Sequence, residues 1–406
     1  MKEGKDTIIK NWIKEGISID LILKGFIIEY KYQHSLIEYS KKILMEDKDK
    51  AKDMTYRFLG KTGMKVSVLS LGNWVNNTKP NEEEVKNTYE CIKLCIEHGV
   101  NFFDTAEIYG FGVAEEAMGK AFKKIGVNRK DIVVSTKFLK VGAGVNDGML
   151  SRKHLIEGIH ASLKRLELDY VDVVFAHRYD PCTPIEEVCR AFDWMINHNK
   201  AFYWGTSMWT TEQIMEAMVC CEKYNLIKPV AEQAEYSILR RENFEGNLVP
   251  LFEKLGYGST VWSPLGSGFL TGKYNDGNMP EGSRLATKLD EPTKKMIFEW
   301  YEVHDDQFYP KLRALGDAAK EFGCTQSQLA LAWCLVNKDV STCITGASRP
   351  EQMVENLKAL EVAKRWTPEI EKKIDEIAKN VPTPSFDWRT WKSEAPRRSL
   401  RVEKFE

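Results

Sequence analysis

The sequence predicts a (β/α)8 TIM barrel, an α/β fold with a parallel sheet, preceded by a β-hairpin and flanked by two extensions. Eight short apolar segments recur, and each is followed by a segment with helical periodicity. The first seven begin roughly 30 residues apart, which is the size of one strand–helix unit. No G-x-G-x-x-G motif follows an early strand, so a Rossmann domain is disfavoured. Eight units in about 300 residues fit a closed barrel better than an open sheet.

Each predicted barrel strand is a short apolar run that ends in a polar or small residue. The eight runs are 67–72, 101–106, 132–137, 171–177, 201–207, 229–236, 258–264 and 342–348. The intervening segments, such as 82–100, carry the apolar stripe of an amphipathic helix. The interval between the last two strands is too long for one unit, so we expect an insertion there, with residues 273–292 as its irregular part.

The two ends of the chain differ from the barrel region, which we predict to span residues 54–380. In the extension, 1–53, apolar residues recur at helical spacing, and the charge run 46–53 is typical of a linker. The barrel region opens with two alternating runs around a Gly-Lys-Thr-Gly turn, which predicts a hairpin over 56–72. The tail, 381–406, mixes proline, aromatic and arginine residues without periodicity, so we expect it to be irregular.

Composition excludes several functional classes. The 406 residues include 58 Lys and Arg against 59 Asp and Glu, so no global charge favours nucleic acid or an anionic membrane. No run approaches the roughly 18 apolar residues of a transmembrane helix, and the start is unlike a signal peptide. The nine cysteines are odd in number and lack zinc-site spacing, which predicts reduced thiols, no metal site and a cytoplasmic protein.

Four titratable residues fall where such a barrel places its active site, at the carboxyl ends of the strands. Asp104 closes the second predicted barrel strand, and Tyr109 lies in the loop just beyond it. Lys137 ends the third strand and His177 ends the fourth. One such residue alone is more often structural, but four at the same barrel mouth predict a catalytic site.

These four residues form a coherent acid–base set. A tyrosine has an ordinary pKa of about 10, and a nearby ammonium such as that of Lys137 lowers it by favouring phenolate. Asp104 would keep Lys137 charged, so that Tyr109 becomes a usable proton donor. His177 would hold a substrate carbonyl by a hydrogen bond. Proton delivery to a carbonyl oxygen without a nucleophile or metal predicts hydride reduction, with the hydride supplied by a cofactor.

Several stretches resemble the aldo-keto reductases, notably "DTAEIYG", "STK", "SLKRLELDYVDVV" and "GASRPEQMVEN". Further stretches, including "AEQAEY" and "VWSPLGSGFLTGKY", are most similar to the voltage-gated potassium channel β-subunit group. The resemblance covers residues 55–380 and implies that Asp104, Tyr109, Lys137 and His177 are a catalytic tetrad. Channel β subunits usually carry asparagine where this chain has His177, so the chain resembles a more conventional catalyst than that group.

The same resemblance implies NADP(H) as cofactor. Trp74 follows the first strand, and Ser207 and Gln233 would face the nicotinamide amide. Lys273 and Arg284 would grip the adenosine 2′-phosphate, and two cations there favour NADP over NAD. The remaining residues form two groups. One would wrap the pyrophosphate, where Gly266 allows close approach, and the other would surround the adenine end. The first group is Trp262, Ser263, Pro264, Leu265, Gly266 and Ser267, and the second is Gly346, Ser348, Gln352, Glu355 and Asn356.

Some positions depart from the group's pattern. Asn73, Pro80 and Met208 stand where the group usually has Thr, Gln and Arg. The changes at Pro80 and Met208 remove side-chain contacts, so the resemblance with these departures implies weaker cofactor affinity. Outside the motifs, His154 and His160 lie six apart on one predicted helix, and we expect both at the surface.

Two classes of function remain open. One is an NADPH-dependent reductase of a small aldehyde or ketone. The other is a barrel used mainly as a docking or structural subunit of an ion-channel or cytoskeletal or ciliary assembly, with weak or vestigial catalysis. The intact tetrad favours the first class. The extension 1–53 and the tail favour a protein partner, and the resemblance also implies a homotetramer.

Overall fold

The described part of the chain comprises residues 54–73, 82–140 and 142–383 of a computed structural model. The predictions for the extension 1–53, for Trp74 and Pro80, and for most of the tail therefore lie outside the described residues.

Eight parallel strands close into a barrel, which confirms the predicted fold. The hydrogen-bonded order follows the chain through the first seven barrel strands, and the eighth closes the ring between the seventh and the first. Each of the eight predicted runs matches one observed strand, and seven of them contain it fully; the third strand extends one residue beyond its run, to Phe138. The strands are β3 (Leu69–Gly72), β4 (Phe102–Asp104), β5 (Val133–Phe138), β6 (Val173–Ala176), β7 (Tyr203–Ser207), β8 (Ala231–Gln233), β9 (Gly258–Val261) and β10 (Thr342–Thr345).

A hairpin precedes the barrel, as predicted, and covers the amino-terminal end of its sheet. Strands β1 (Tyr56–Phe58) and β2 (Lys65–Ser67) pair antiparallel. The predicted second arm ran to residue 72, but the hairpin ends at β2 and the chain continues as the first barrel strand. Leu59 and Val66 pack with the barrel residues Phe102 and Phe175, so the hairpin closes the end of the barrel opposite the candidate site.

Helices cover the outside of the barrel and bury their apolar faces against it. Two of them begin with capping boxes, at Thr210 and Thr325. The described helices are α1 (Glu82–Glu97), α2 (Val113–Ile125), α3 (Arg152–Leu166), α4 (Ile185–Asn197), α5 (Thr211–Tyr224), α6 (Val249–Leu255), α7 (Glu291–Trp300), α8 (Phe308–Glu321), α9 (Gln326–Val336), α10 (Pro350–Leu357), α11 (Ala359–Lys364) and α12 (Pro368–Ala378). None of these described helices has the length and apolarity needed to cross a bilayer.

The long interval between the last two strands contains two short helical turns, Gly266–Thr271 and Arg284–Lys288, and then α7, α8 and α9. Helix α7 is an addition to the basic strand–helix repeat. It places Met296 and Ile297 against the cavity at the barrel mouth. The predicted insertion therefore contributes directly to the candidate site.

Candidate active site

A cavity of about 1260 Å³ opens at the carboxyl ends of the barrel strands. It is larger than the roughly 300–1,000 Å³ of a typical small-molecule site, so it has room for an extended ligand together with a second, smaller one. Asp104, Tyr109 and His177 line it, and Lys137 lies beneath them without contact to solvent. In the described ranges, no three His, Cys, Asp or Glu side chains are grouped as metal ligands would be.

Lys137 is the centre of the predicted group. Its Nζ donates to Asp104 Oδ2 at 2.6 Å, to the Thr105 carbonyl at 2.6 Å and to the Tyr109 hydroxyl at 3.2 Å. A buried ammonium is tolerated only when its charge and its hydrogen-bonding capacity are met, and here three acceptors meet them. The structure thus brings Asp104, Tyr109 and Lys137 into one hydrogen-bonded group.

The charge state of Lys137 follows from two opposing effects. Burial alone would lower its pKa, but the Asp104 carboxylate and the Tyr109 hydroxyl outweigh burial and raise the pKa above its ordinary value. Lys137 is therefore an ammonium at neutral pH. The acid–base set predicted from the sequence requires this charged form of Lys137.

For Tyr109, the expected net lowering of the pKa is wrong. Burial raises the pKa of the phenol above its ordinary value and outweighs the lowering effect of Lys137, while Asp104 adds to the increase. The hydroxyl therefore keeps its proton at neutral pH. A donor must carry the proton that it delivers, so this state suits proton donation to a substrate.

His177 is a neutral imidazole. Burial, followed by the charges of Lys137 and Arg178, holds its pKa well below the ordinary value. Its Nδ1 is buried without a hydrogen-bond partner, which leaves Nε2 as the ring nitrogen that reaches the cavity. The His177 ring meets the Tyr109 ring edge to face, with 5.9 Å between centroids. The two groups therefore face the same part of the cavity.

Two partners of Asp104 were missed by the sequence reasoning. Ser135 Oγ donates to Asp104 Oδ1 at 2.6 Å, and Gln233 Nε2 donates to the same oxygen at 3.0 Å. Ser135 lies two residues before Lys137 on β5, and strand periodicity places both on one face, so this contact had a signal in the sequence. Gln233 lines the cavity as predicted, and it also helps to fix the carboxylate.

His154 is buried, so its predicted surface position is wrong, whereas His160 is exposed as expected. His154 Nε2 lies 2.8 Å from Glu107 Oε1, and the Leu139 N–H donates to that same oxygen at 2.8 Å. Glu107 is two residues before Tyr109. The pair therefore ties the loop that carries Tyr109 to helix α3 and to the end of β5.

Every predicted cofactor residue in the described part lies at the cavity, and all but Gly266 line it. The lining members are Ser207, Gln233, Trp262, Ser263, Pro264, Leu265, Ser267, Lys273, Arg284, Gly346, Ser348, Gln352, Glu355 and Asn356. Some of them are already held in place. The amide oxygen of Gln352 accepts from the Ser348 N–H at 2.9 Å, and Asn356 donates to Thr345 at 2.9 Å.

The segment after β9 has the backbone geometry of an anion cradle. Ser263, Gly266 and Ser267 adopt left-handed φ values of 51°, 55° and 53°. Successive turns of this kind direct N–H groups to one side, where they can bind phosphate oxygens. A side chain at Gly266 would also approach Leu239 to 3.1 Å. The loop geometry, together with the nearby cations Lys273 and Arg284, fits a phosphorylated dinucleotide.

The inserted helix α7 forms a wall of the cavity that sequence reasoning did not predict. Trp300 and Tyr301, at its end, both line the cavity. Trp300 Nε1 donates to Glu235 Oε2 at 2.6 Å, and the Tyr301 hydroxyl donates to Glu235 Oε1 at 2.5 Å. Both contacts hold the insertion against the segment that follows β8. These contacts join residues 65 and 66 positions apart in the chain, and no local pattern in the sequence could have revealed them.

The fold and the site together define a (β/α)8 barrel with a buried acid–base group beneath a cavity at the carboxyl ends of its strands. Comparison with known proteins identifies its family. Residues 68–379 match the model of the aldo/keto reductase family, and the chain belongs to that family.

The chain is also similar to proteins named voltage-gated potassium channel subunit beta. The protein from Schizosaccharomyces pombe is 52% identical over 82% of this chain and 95% of its own. Those from Oryza sativa subsp. japonica and Arabidopsis thaliana are each 46% identical, over 83% and 81% of this chain and 100% and 98% of their own. The resemblance described from the motifs is thereby confirmed.

Proposed function

We propose that the protein is an NADPH-dependent reductase that converts an aldehyde or ketone to an alcohol, with Tyr109 as the proton donor. One observation carries the proposal. A fully buried Lys137 joins Asp104 to the Tyr109 hydroxyl at the floor of a cavity large enough for a dinucleotide and a substrate. Membership of the aldo/keto reductase family supports the same reaction.

The roles of the four residues follow from their contacts. NADPH supplies the hydride when it is bound. Nε2–H of the neutral His177 donates a hydrogen bond to the substrate carbonyl oxygen. The Tyr109 hydroxyl transfers its proton to that oxygen, and the Lys137 ammonium stabilises the phenolate that remains. Asp104 keeps Lys137 charged and is itself fixed by Ser135.

The residues around the cavity support NADPH as the cofactor. Backbone N–H groups in the Ser263–Ser267 loop would hold the pyrophosphate, since this loop has the left-handed turns of an anion cradle. Lys273 and Arg284 would bind the 2′-phosphate that distinguishes NADPH from NADH. Ser348 and Gln352 would border the adenosine end.

The proposed reaction is tested with purified protein, NADPH and 4-nitrobenzaldehyde. We expect NADPH to be consumed in proportion to the nitrobenzyl alcohol formed, with both quantified in the same sample. NADPH binding without any alcohol, across a panel of aldehydes and ketones, would exclude the reductase.

Arg284→Ala should weaken NADPH binding about tenfold or more and leave NADH binding nearly unchanged. A charge-assisted contact to phosphate contributes roughly 1.5–3 kcal/mol, and only NADPH carries the 2′-phosphate. Titration of each cofactor, followed by protein fluorescence, measures the two affinities. Lys295→Ala, which removes an exposed cation of α7 outside the cavity lining, is the matched control and should change neither. An equal loss of affinity for NADPH and NADH would show that Arg284 does not bind the 2′-phosphate.

A second candidate function is a docking subunit of a larger assembly. The names of the three relatives, as potassium channel β subunits, favour it. In this proposal the extension 1–53 binds a partner protein, the barrel forms a homotetramer, and the complex lies on the cytoplasmic side of a channel. The two functions are compatible, since the docking segment and the cavity involve different parts of the chain.

Deletion of residues 1–53 separates the two functions. We expect unchanged NADPH affinity, turnover and oligomer size, together with loss of binding to the native assembly in cell extract. The barrel closes its own sheet and covers it with its own helices, so it needs no added element. Light scattering gives the oligomer size, and co-sedimentation gives the association. A truncated protein that unfolds or dissociates would show that the extension is an integral part of the fold.

A further inference from the structure

Arg178 is a cation at the catalytic end of the cavity to which the proposed mechanism assigns no role. It directly follows His177 at the end of β6 and lines the cavity. Its charge lowers the pKa of both His177 and Tyr109, although neither shift is dominated by it. The guanidinium therefore lies close to the position where the substrate carbonyl must sit.

The hydrogen-bonding capacity of Arg178 is largely unused within the protein. Its Nη1 donates to the His177 carbonyl, and within residues 54–73, 82–140 and 142–383 it forms no ion pair. Two buried carboxylates lie nearby, but both have other donors. Glu232 accepts from the Thr206 hydroxyl at 2.5 Å, and Glu235 accepts from Trp300 and Tyr301. A guanidinium has five N–H donors, so several remain for a ligand.

The position of Arg178 on the barrel rim separates it from the predicted phosphate contacts. It follows β6, whereas the loop with the left-handed turns follows β9, and β7 and β8 lie between them. The predicted 2′-phosphate cations, Lys273 and Arg284, lie on the chain beyond that loop. An anion beside Arg178 is therefore assigned to the substrate and not to the cofactor pyrophosphate, which that loop would hold.

We propose that Arg178 binds a carboxylate on the substrate, so that the site prefers carbonyl compounds that are also carboxylic acids. The planar guanidinium matches a carboxylate in two parallel hydrogen bonds. Leu139, Met208, Met296 and Trp300 also line the cavity, so the group between the carbonyl and the acid would be apolar. This inference rests on the proposed reductase function and specifies its substrate class.

A pair of nearly isosteric substrates tests the proposal. Carboxybenzaldehydes and nitrobenzaldehydes have the same shape, but only the former carry a full negative charge. We compare them with the substituent at the 3- and at the 4-position. The wild-type protein should have the higher kcat/KM for the acid at one position or both. Arg178→Met should lower kcat/KM for the preferred acid roughly tenfold or more and change that for the nitro compound by less than about threefold. Arg178→Lys should retain part of the preference.

Other results would overturn the proposal. One such result is a wild-type protein that prefers neither acid. The other is an equal loss of kcat/KM for both substrate types in Arg178→Met. Either result would mean that Arg178 only neutralises the nearby Glu232 and Glu235 carboxylates. Thermal unfolding of each variant is measured alongside. If Arg178→Met does not fold, Arg178→Gln keeps a polar side chain at the same place and is assayed instead.

A binding experiment separates this proposal from the proposed reaction. The product alcohols, carboxybenzyl and nitrobenzyl alcohol, are titrated calorimetrically into the protein with NADPH. Tighter binding of the acid, lost in Arg178→Met, supports anion recognition even if no aldehyde is reduced. Equal binding of the two alcohols, in a protein that does reduce aldehydes, would overturn the proposal and leave the reductase intact.

Discussion

Tyr109→Phe should lower kcat by about 100- to 10,000-fold, which is the usual contribution of a positioned general acid. The substitution keeps the ring, which meets the His177 ring edge to face and has its centroid 4.6 Å from Lys137 Nζ, and it removes only the hydroxyl. Among the described residues, the Tyr109 hydroxyl is the one hydroxyl that is hydrogen-bonded to Lys137 Nζ. The reduction would then depend on water for its proton.

The measurement is single-turnover and steady-state reduction of 4-nitrobenzaldehyde, with NADPH affinity determined separately. NADPH affinity should be nearly unchanged, because the substitution removes an interaction that stabilises only the transition state of the reduction. Tyr179→Phe is the matched control, since it removes a tyrosine hydroxyl bonded to Glu216 outside the cavity lining. Undiminished turnover in Tyr109→Phe would contradict the assigned mechanism.

Lys137→Met should abolish turnover and also destabilise the fold by about 3–5 kcal/mol, because it leaves a buried carboxylate without its cation. Both members of the Lys137–Asp104 pair are almost fully buried. Ser135 and Gln233 would still donate to Asp104, but neither carries a charge. The tyrosine hydroxyl would lose the ammonium that stabilises its anion.

The double variant Asp104→Asn/Lys137→Met separates the two effects. It removes both charges, so part of the stability should return while turnover stays absent. Chemical denaturation measures the free energies of unfolding. Lys120→Met, at an exposed position on α2, is the control and should change stability little. If Lys137→Met were as stable as the wild type, the buried pair would not have the role given to it here.

The barrel and its candidate catalytic residues could be predicted because both depend on regular features. Each barrel strand is a short apolar run, so a polar residue that closes the run can be recognised in the sequence. Asp104, Lys137 and His177 were found in this way, and the structure brings them together. The hairpin was found from its turn, although its second arm is shorter than predicted.

Features that depend on burial and on distant packing could not be predicted. The net direction of the Tyr109 pKa depends on how completely the cavity floor is dehydrated, and a sequence does not give that. His154 is buried because it pairs with Glu107, which lies far away in the chain. The hydrogen bond between Trp300 and Glu235 joins helix α7 to the segment after β8 across 65 positions of the chain, so no local pattern predicts it.

The roles of the cofactor residues remain predictions. Their side chains gather at one cavity, as the motifs indicated. Lys273 and Arg284 are assigned from the resemblance and from their charge. The Arg284→Ala titration described above tests that assignment independently of catalysis.

Transfer of deuterium from the cofactor tests the central claim most directly. NADPH deuterated at both C4 positions is incubated with the protein and 4-nitrobenzaldehyde, and the alcohol is analysed by mass spectrometry. The account predicts one deuterium on the carbinol carbon with the wild-type protein and almost no product with Tyr109→Phe. An alcohol without deuterium, or equal product from both proteins, would contradict it.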